Sequence, residues 1–211
     1  MNYLVLLRHG QSVWNKENKF TGFKDVELSD LGREEARQAG ISLRHIKFDK
    51  VFTSTLKRAY DTAGIALSSS EKNEHLKNGN HYEMTRDDDL RERDYGDLSG
   101  LNKDETREKF GSEQVHIWRR SYDTRPPGGE CLKDVVERVE PYYNKHIKPM
   151  VEEGRNVLLA AHGNTLRAMM IILGEATPEN INEVEIPTGV PLVFEYDNGK
   201  KRTHSFLSAE N

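Results

Sequence analysis

Two short apolar runs dominate the hydrophobic pattern of this chain, and each ends in a histidine followed by a glycine. The first run covers about residues 2–7 and leads into Arg8-His9-Gly10, and the second covers 156–161 and leads into His162-Gly163. Continuous apolar runs of this length, bounded by glycine, are typical of strands buried on both faces. Ligands of open α/β sheets bind beyond the carboxyl ends of the strands. We therefore expect both imidazoles to reach one pocket at that edge of a sheet.

The remaining pattern alternates between helix-like and strand-like periods. Apolar residues at helical spacing predict helices over about 30–46, 55–67, 102–110, 112–121 and 132–143, and one more after His162. Short apolar runs predict strands at 49–54, within 81–90, at 192–196 and at 202–207. This order predicts an α/β fold, a three-layer α/β/α sandwich with a mostly parallel central sheet, in a single domain over 1–211. Asn164 is expected to cap the helix that follows His162.

Composition limits the classes of function. The net charge of −4 argues against nucleic acid as the main partner. No run approaches the ~20 apolar residues that cross a bilayer, and the chain begins without the pattern of a secretory signal. Cys131 is the only cysteine, so no internal disulfide is expected and a reducing compartment fits best. We expect a cytoplasmic protein with neither a membrane nor a nucleic-acid partner.

The residues beside the two histidines indicate phosphoryl chemistry. Neutral imidazole is a competent nucleophile near neutral pH. Phosphoryl transfer also needs cations around the phosphoryl oxygens, and the planar fork of arginine suits them. Arg8 adjoins His9, and Arg58 lies in the first turn of the helix after the second predicted strand. Asn15 and Asn164 offer further neutral donors to the same pocket.

Plainer explanations of these residues remain open. The repeated His-Gly is also compatible with a duplicated structural turn, and Arg58 with a solvated helix face. The tandem Arg119-Arg120 is likewise common on exposed helices. Zinc is not expected, because the histidines lack the usual metal-ligand spacing and the adjoining Arg8 repels a cation.

Longer motifs make the chain resemble the histidine phosphatase superfamily. That resemblance is carried by Leu7-Arg8-His9-Gly10-Gln11-Ser12, by Arg58 after Thr53-Ser54-Thr55-Leu56-Lys57, and by Ala161-His162-Gly163. Within the superfamily, the chain is similar to the cofactor-dependent phosphoglycerate mutases in a second set of segments. These are Trp14-Asn15, Phe20-Thr21-Gly22-Phe23, 90–96, 98–103, Trp118-Arg119-Arg120 and 186–191. The similarity extends over almost the whole chain and implies a phosphoglycerate mutase-like fold.

The resemblance implies a role for each matching residue. His9 would carry the phosphoryl group as phosphohistidine, and Glu92 would be the general acid and base. The transferring phosphoryl would be held by Arg8, Arg58, Asn15 and His162, and the far anionic end of the substrate by Arg119 and Arg120. The substrate-binding set would be completed by Gln11, Ser12, Thr21, Gly22, Arg93, Tyr95, Lys103, Gly163 and Asn164.

The resemblance also implies a reaction and its partners. The expected activity is interconversion of 3-phosphoglycerate and 2-phosphoglycerate in glycolysis and gluconeogenesis. The substrates are small phosphorylated three-carbon acids, 2,3-bisphosphoglycerate is the priming phosphoryl donor, and no metal is required. A homodimer is expected by analogy with the family.

Three departures from the family pattern keep alternatives open. Asp94 stands where the family usually has histidine, which suggests a different charge at the pocket edge. The 126–131 segment is short, and the chain ends soon after its last predicted strand. A less covered site admits water, so a histidine phosphatase that hydrolyses small phosphate esters is the second hypothesis. A non-enzymatic module that binds phosphorylated ligands is the third.

Overall fold

The two apolar runs form neighbouring strands at the centre of one sheet. A computed structural model describes residues 1–208. Its strands are β1 (Asn2–Arg8), β2 (Lys50–Thr53), β3 (Lys77–Asn78), β4 (His81–Tyr82), β5 (Thr85–Arg86), β6 (Val157–Ala161), β7 (Leu192–Asp197) and β8 (Lys200–Phe206). Six of these form the sheet in the order β5-β2-β6-β1-β7-β8, while β3 and β4 form a separate hairpin. The first four strands of that order are parallel, and β7 and β8 add an antiparallel hairpin at the edge.

Eight α-helices surround the sheet within the described residues. They are α1 (Val13–Lys16), α2 (Asp30–Ser42), α3 (Lys57–Ser68), α4 (Lys103–Phe110), α5 (Ser112–Arg120), α6 (Leu132–Tyr142), α7 (Lys148–Glu152) and α8 (Gly163–Ile172). A π-helical turn, Tyr143–Ile147, joins α6 to α7. Short 3₁₀ turns lie at Glu71–Leu76, Asp88–Leu90, Gly96–Leu98 and Ile181–Glu183. None of the helices in residues 1–208 has both the length and the apolar content that a membrane span requires.

The sheet separates two apolar cores. Leu4 and Leu6 of β1 face one core, which also contains the apolar faces of α6 and α8. Val5 and Leu7 face the other core, which α2 and α3 cover. Successive side chains of a strand point to opposite faces, so a strand buried on both sides is apolar throughout. The predicted three-layer α/β architecture with a mostly parallel sheet is confirmed.

The predicted elements differ from the observed ones mainly at their ends. The helix predicted over 30–46 ends at Ser42, although Leu43 and Ile46 are still buried. A turn after a helix can bury apolar residues at helical spacing, so periodicity alone overestimates the length of the helix. The one short strand predicted within 81–90 is two separate two-residue strands, β4 in the small hairpin and β5 at the edge of the main sheet.

A close backbone contact holds the loop after β1 against the start of α2. A Cβ on Gly10 would lie 2.0 Å from the Gly32 carbonyl oxygen, and a Cβ on Gly32 would lie 2.0 Å from the Gln11 carbonyl oxygen. Neither contact leaves room for a methyl group. Both glycines therefore allow α2 to touch the segment that carries His9.

We predict that Gly32→Ala lowers the free energy of unfolding by about 1–3 kcal/mol, because the new methyl group forces the two backbones apart. The control is Gly64→Ala in α3, where the nearest atom to a new Cβ is the flexible Met84 side chain at 3.7 Å. That substitution should stabilise the helix by roughly 0.5–1 kcal/mol. Urea unfolding of both variants measures the difference, and equal midpoints would contradict the prediction.

Candidate active site

His9 is a neutral imidazole at the carboxyl end of β1. Its backbone N–H donates to the Ala161 carbonyl oxygen (3.0 Å), so the residue is held against β6. Nδ1 lies 2.6 Å from the Gly10 carbonyl oxygen, and because a carbonyl only accepts, Nδ1 carries the proton and Nε2 keeps its lone pair. Burial, then the charges of Arg58 and Arg8, hold the pKa of His9 well below its ordinary value. His9 is therefore uncharged and nucleophilic at neutral pH.

His162 stands beside His9 at the end of β6. The two ring centroids are 5.1 Å apart in an edge-to-face arrangement. Ser54, which follows β2, places its Oγ 2.6 Å from Nε2 of His162. Burial, then the charge of Arg58, also holds the pKa of His162 well below its ordinary value. Nδ1 of His162 is buried without a hydrogen-bond partner within residues 1–208, which is rare for a polar atom in a native protein.

Two arginines supply positive charge next to the histidines. Arg58, in the first turn of α3, is 1% exposed and donates to the carbonyl oxygens of Gly22 and Lys24, each at 2.7 Å. Burial lowers the pKa of Arg58 to about 10, so the side chain still carries its charge at neutral pH. Nη1 of Arg8 donates to the Ile186 carbonyl oxygen (2.9 Å), while its Nε is buried without a partner in the described part of the chain.

Hydrogen bonds from other elements fix the loop that carries His9. Gly10 donates its N–H to Thr62 Oγ1 on α3 (3.1 Å). Gln11 donates its N–H to Glu35 Oε1 on α2 (2.9 Å). The second carboxylate oxygen of Glu35 accepts from Thr188 Oγ1 (2.6 Å), which ties the same carboxylate to the loop before β7. His9 is thus held between two helices and a loop rather than on a free turn.

Glu92 faces the amino end of α8. Its Oε1 accepts hydrogen bonds from the backbone N–H groups of Arg93 (2.7 Å) and Asn164 (3.2 Å). The prediction that Asn164 caps this helix is wrong, because α8 begins at Gly163 and His162 occupies the N-cap position, where its side chain makes no capping hydrogen bond. A carboxylate from a distant loop satisfies the free N–H instead, which no local sequence pattern reveals.

These residues surround a strongly cationic cavity of about 140 Å³. Seven cationic side chains line it, against Glu92 as the only acidic one among the described residues: Arg8, Lys19, Arg58, Lys103, Arg119, Arg120 and Arg167. The whole chain carries a net charge of −4, so this concentration of positive charge is local. Burial lowers the pKa of Arg167 to about 10 and also lowers the pKa of Lys103. Neighbouring cations add to the effect of burial on both pKa values, Arg120 at Arg167 and Arg119 at Lys103.

Comparison with known proteins identifies the family. The family model described as "Histidine phosphatase superfamily (branch 1)" matches residues 4–208. The chain belongs to the histidine phosphatase superfamily. A curated relative from Parvibaculum lavamentivorans is 52% identical over 93% of this chain and 91% of its own length. Another from Allorhizobium ampelinum is 53% identical over 90% of this chain and 88% of its own. Both relatives are named 2,3-bisphosphoglycerate-dependent phosphoglycerate mutase.

Solved structures of the superfamily share the same architecture. A mycobacterial glucosyl-3-phosphoglycerate phosphatase in complex with VO3 superposes with a TM-score of 0.78. It is 28% identical in sequence, and the match covers 92% of this chain and 93% of that one. The fold is therefore common to mutases and phosphatases, and the choice between them depends on the site.

Most of the site residues predicted from the sequence line this one cavity. Thirteen of them line the cavity: Arg8, His9, Asn15, Thr21, Gly22, Arg58, Glu92, Tyr95, Lys103, Arg119, Arg120, Gly163 and Asn164. The other four, Gln11, Ser12, Arg93 and His162, are absent from the lining, and His162 is fully buried beside His9. Ser12 caps α1 by accepting from the Asn15 N–H (3.0 Å), and Gln11 accepts from Ser29 Oγ (2.9 Å). Arg93 is buried and packs its guanidinium over the Tyr95 ring at 4.4 Å.

Some site residues were not predicted from the sequence. Lys19, Phe20, Arg167 and Ile186 also line the cavity, and Ser54 contacts His162. Arg167 had a local signal, because it is the only charged residue of the apolar helix α8 and lies one turn after Gly163. Ser54 and Ile186 lie in segments that carry the family resemblance, but the sheet order and a long-range loop contact are what bring them to the site.

The unusual Asp94 does not change the charge of the cavity wall. It is absent from the lining residues, and its Oδ1 accepts from the Gly96 N–H at 2.9 Å. Its backbone N–H donates to Glu130 Oε2 (3.0 Å). Asp94 therefore organises the loop after Glu92 and does not oppose an anionic ligand from the cavity wall.

The two neutral histidines predict a specific loss of stability in mild acid. Below about pH 6.5 the unfolded chain protonates each histidine, whereas the folded chain does not, so unfolding becomes more favourable as the pH falls. Each histidine should lower the free energy of unfolding by up to about 1.4 kcal/mol between pH 7.5 and pH 5.5. His162→Gln should remove one such contribution, as measured by urea unfolding across this range. The matched control is His116→Gln on the exposed surface of α5, which should keep the wild-type slope; identical slopes for all three proteins would contradict the prediction.

Proposed function

We propose that this chain is a 2,3-bisphosphoglycerate-dependent phosphoglycerate mutase that interconverts 3-phosphoglycerate and 2-phosphoglycerate through phosphorylated His9. The observation that carries the proposal is the lining of seven cations around one neutral histidine. The substrate class has two anionic groups, a phosphate and a carboxylate, and therefore needs cations beyond those that contact the transferring phosphoryl. The names of relatives about half identical to this chain support the same conclusion.

The phosphoryl end of the cavity is built around His9 Nε2. In this proposal its lone pair attacks phosphorus, the bond from phosphorus to the substrate oxygen breaks, and the phosphoryl group remains on His9. Arg8 and Arg58 hold the phosphoryl oxygens through charge-assisted hydrogen bonds, with Asn15 as a neutral donor. His162 adds a further contact from the neighbouring strand end. Positioning and electrostatic stabilisation account for most of the catalysis in reactions of this kind.

Glu92 is the general acid and base in this proposal. When the phosphoryl group passes from the substrate to His9, the substrate oxygen takes a proton from the Glu92 carboxyl group. In the opposite direction the attacking hydroxyl gives its proton to the carboxylate as the N–P bond breaks. The two hydrogen bonds to Oε1 leave Oε2 available for this exchange. Transfer to one hydroxyl and recovery from the neighbouring one gives net isomerisation.

The far end of the cavity would bind the substrate carboxylate. Arg119 and Arg120 end α5, and Lys103 begins α4, so two helix termini direct their cations to the same region. Burial alone would raise the pKa of Tyr95, but the charges of Arg93, Lys103 and Arg119 outweigh it, and the pKa is lowered. The phenol is therefore a strong hydrogen-bond donor within this cationic surround.

The residues also fit 2,3-bisphosphoglycerate as the priming compound. Arg8 Nε and His162 Nδ1 are buried and lack partners among residues 1–208, so the phosphoryl end still has polar atoms to satisfy. When bound, 2,3-bisphosphoglycerate supplies the phosphoryl group that His9 accepts. Arg8 and Arg58 would hold one of its phosphates, and Arg119, Arg120 and Lys103 its remaining anionic groups. The side chains thus balance the charge, and the proposal requires no metal.

A phosphatase of the same fold is the second candidate, and the structural similarity to a glucosyl-3-phosphoglycerate phosphatase favours it. The cationic far end of the cavity supports the mutase as the first candidate, because it can hold the second anionic group of a phosphoglycerate. We also propose a homodimer, by analogy with the family, and a cytoplasmic location, which suits a chain with a single cysteine.

Purified protein should convert 3-phosphoglycerate to 2-phosphoglycerate without added metal, and 2,3-bisphosphoglycerate should accelerate the conversion. An enolase-coupled assay measures isomerisation, and a phosphate-release assay on the same sample measures hydrolysis. Isomerisation that is absent or insensitive to 2,3-bisphosphoglycerate would reject the proposal. Phosphate release that greatly exceeds isomerisation would establish the phosphatase instead.

Brief exposure to 2,3-bisphosphoglycerate should add one phosphoryl group to the chain, visible by intact-mass spectrometry. The adduct should be lost in acid, as expected for a phosphorus–nitrogen bond. His9→Ala should remain unmodified, because it lacks the nucleophile. The exposed His116→Gln should be modified like the native chain, and modification of His9→Ala would place the acceptor elsewhere.

A further inference from the structure

Arg138, on α6, fastens the loop that carries Glu92 from outside the cavity. Its Nη1 donates to the carbonyl oxygens of Asp89 (2.7 Å) and Arg91 (2.9 Å). Its Nη2 donates to the carbonyl oxygen of Glu92 itself (2.8 Å). Asp89 lies in the 3₁₀ turn Asp88–Leu90, and Arg91 and Glu92 follow that turn outside any strand or helix. Side chains must therefore satisfy the backbone groups of this stretch, and one guanidinium satisfies three of them.

Glu130 completes the attachment from the short segment 126–131. Its carboxylate accepts from Arg138 Nε (3.1 Å) and Nη2 (3.0 Å). Oε2 of Glu130 also accepts from the Asp94 N–H (3.0 Å), and the Glu130 N–H donates to the Asp94 carbonyl oxygen (2.8 Å). The side chains of Arg138 and Glu130 are only 18% and 23% exposed, so water competes weakly with this network. The pair holds the loop on both sides of Glu92.

Neither partner touches the cavity. Arg138 and Glu130 are absent from its lining, whereas Glu92 lines it. The Glu92 carboxylate must reach the cavity while its Oε1 accepts from the Asn164 N–H at 3.2 Å. A shift of the backbone at Glu92 would alter both positions together.

We propose that Arg138 and Glu130 are positioning residues that hold Glu92 where it can exchange a proton with the substrate oxygen. This inference rests on the proposed acid–base role of Glu92. It also gives the short 126–131 segment a structural role, because this segment carries the Glu130 carboxylate, which orients the Arg138 guanidinium. Lysine cannot replace this arginine, because an ammonium group lacks the planar fork that reaches three carbonyls and a carboxylate at once.

The test compares Arg138→Lys in two backgrounds. In the native background kcat for isomerisation should fall by roughly tenfold to a hundredfold, since small misplacement of a catalytic group is costly, while KM changes by less than about threefold. In a Glu92→Gln background the same substitution should cost less than about twofold, because the group it positions is already gone. The pH profile of kcat should also change in the Arg138→Lys single variant, because the environment of the Glu92 carboxylate changes. Glu130→Gln should likewise lower kcat in the native background and have little effect in the Glu92→Gln background. This second variant provides the test if Arg138→Lys does not fold.

The matched control is Arg125→Lys, which alters another bidentate arginine–carboxylate pair. Arg125 bonds Asp134 at 2.7 and 2.6 Å, is exposed, and makes no hydrogen bond to the Glu92 loop. It should keep native kcat. Equal losses in both backgrounds, or no loss, would overturn the positioning role. If the native protein hydrolyses phosphate esters and does not isomerise phosphoglycerate, the proposed function is wrong, but the positioning role can still be tested. The same variants are then compared for hydrolysis of glycerol phosphate, because the leaving oxygen in that reaction also needs a proton.

Discussion

The parallel pairing of β1 with β6 is the constraint on which the site depends. β6 lies between β1 and β2, so His9, His162 and Ser54 follow three neighbouring strands at one edge of the sheet. The register aligns Arg8 with Ala161, and the histidine that follows each of them then stands beside the other, with ring centroids 5.1 Å apart. A shift of one residue would turn one of these side chains to the opposite face.

Positive charge is the second constraint, and it opposes folding. Seven cations around one cavity repel each other, and burial removes part of their hydration. Arg58 shows how the fold compensates, since two backbone carbonyls accept from its guanidinium. The histidines limit the problem by staying neutral, because burial and then the charge of Arg58 hold the pKa of each well below its ordinary value. An anion that binds only the folded protein relieves the remaining repulsion and stabilises the fold by mass action.

Residues outside the cavity hold the residues that line it, and Glu92 is one example. Groups that meet the ligand are held by groups that do not. Arg138 fixes the loop backbone, and Ser12 fixes Asn15 through a reciprocal pair of hydrogen bonds. A site that depends on atomic positions is supported by a shell of contacts from several elements.

Local sequence was sufficient for the elements and for most of the cavity. Apolar runs identified β1 and β6 because strands buried on both faces carry no polar positions. Thirteen expected residues line the cavity, and the motifs that contain them are the ones that carry the family resemblance. The end of α2 was less predictable, since Ile46 continues the helical spacing from within a turn.

The amino-acid sequence by itself determined the two histidine-bearing strands, the surplus of arginine near them and the resemblance to a family. Only the tertiary structure decided which groups complete the site. Ser54 reaches His162 because the sheet order inserts β6 beside β2, and Glu92 serves α8 because a loop from the middle of the chain returns there. Asp94 turns away from the cavity for a similar reason. These contacts join residues that are distant in sequence, and their formation depends on how the layers pack rather than on any local preference of the chain.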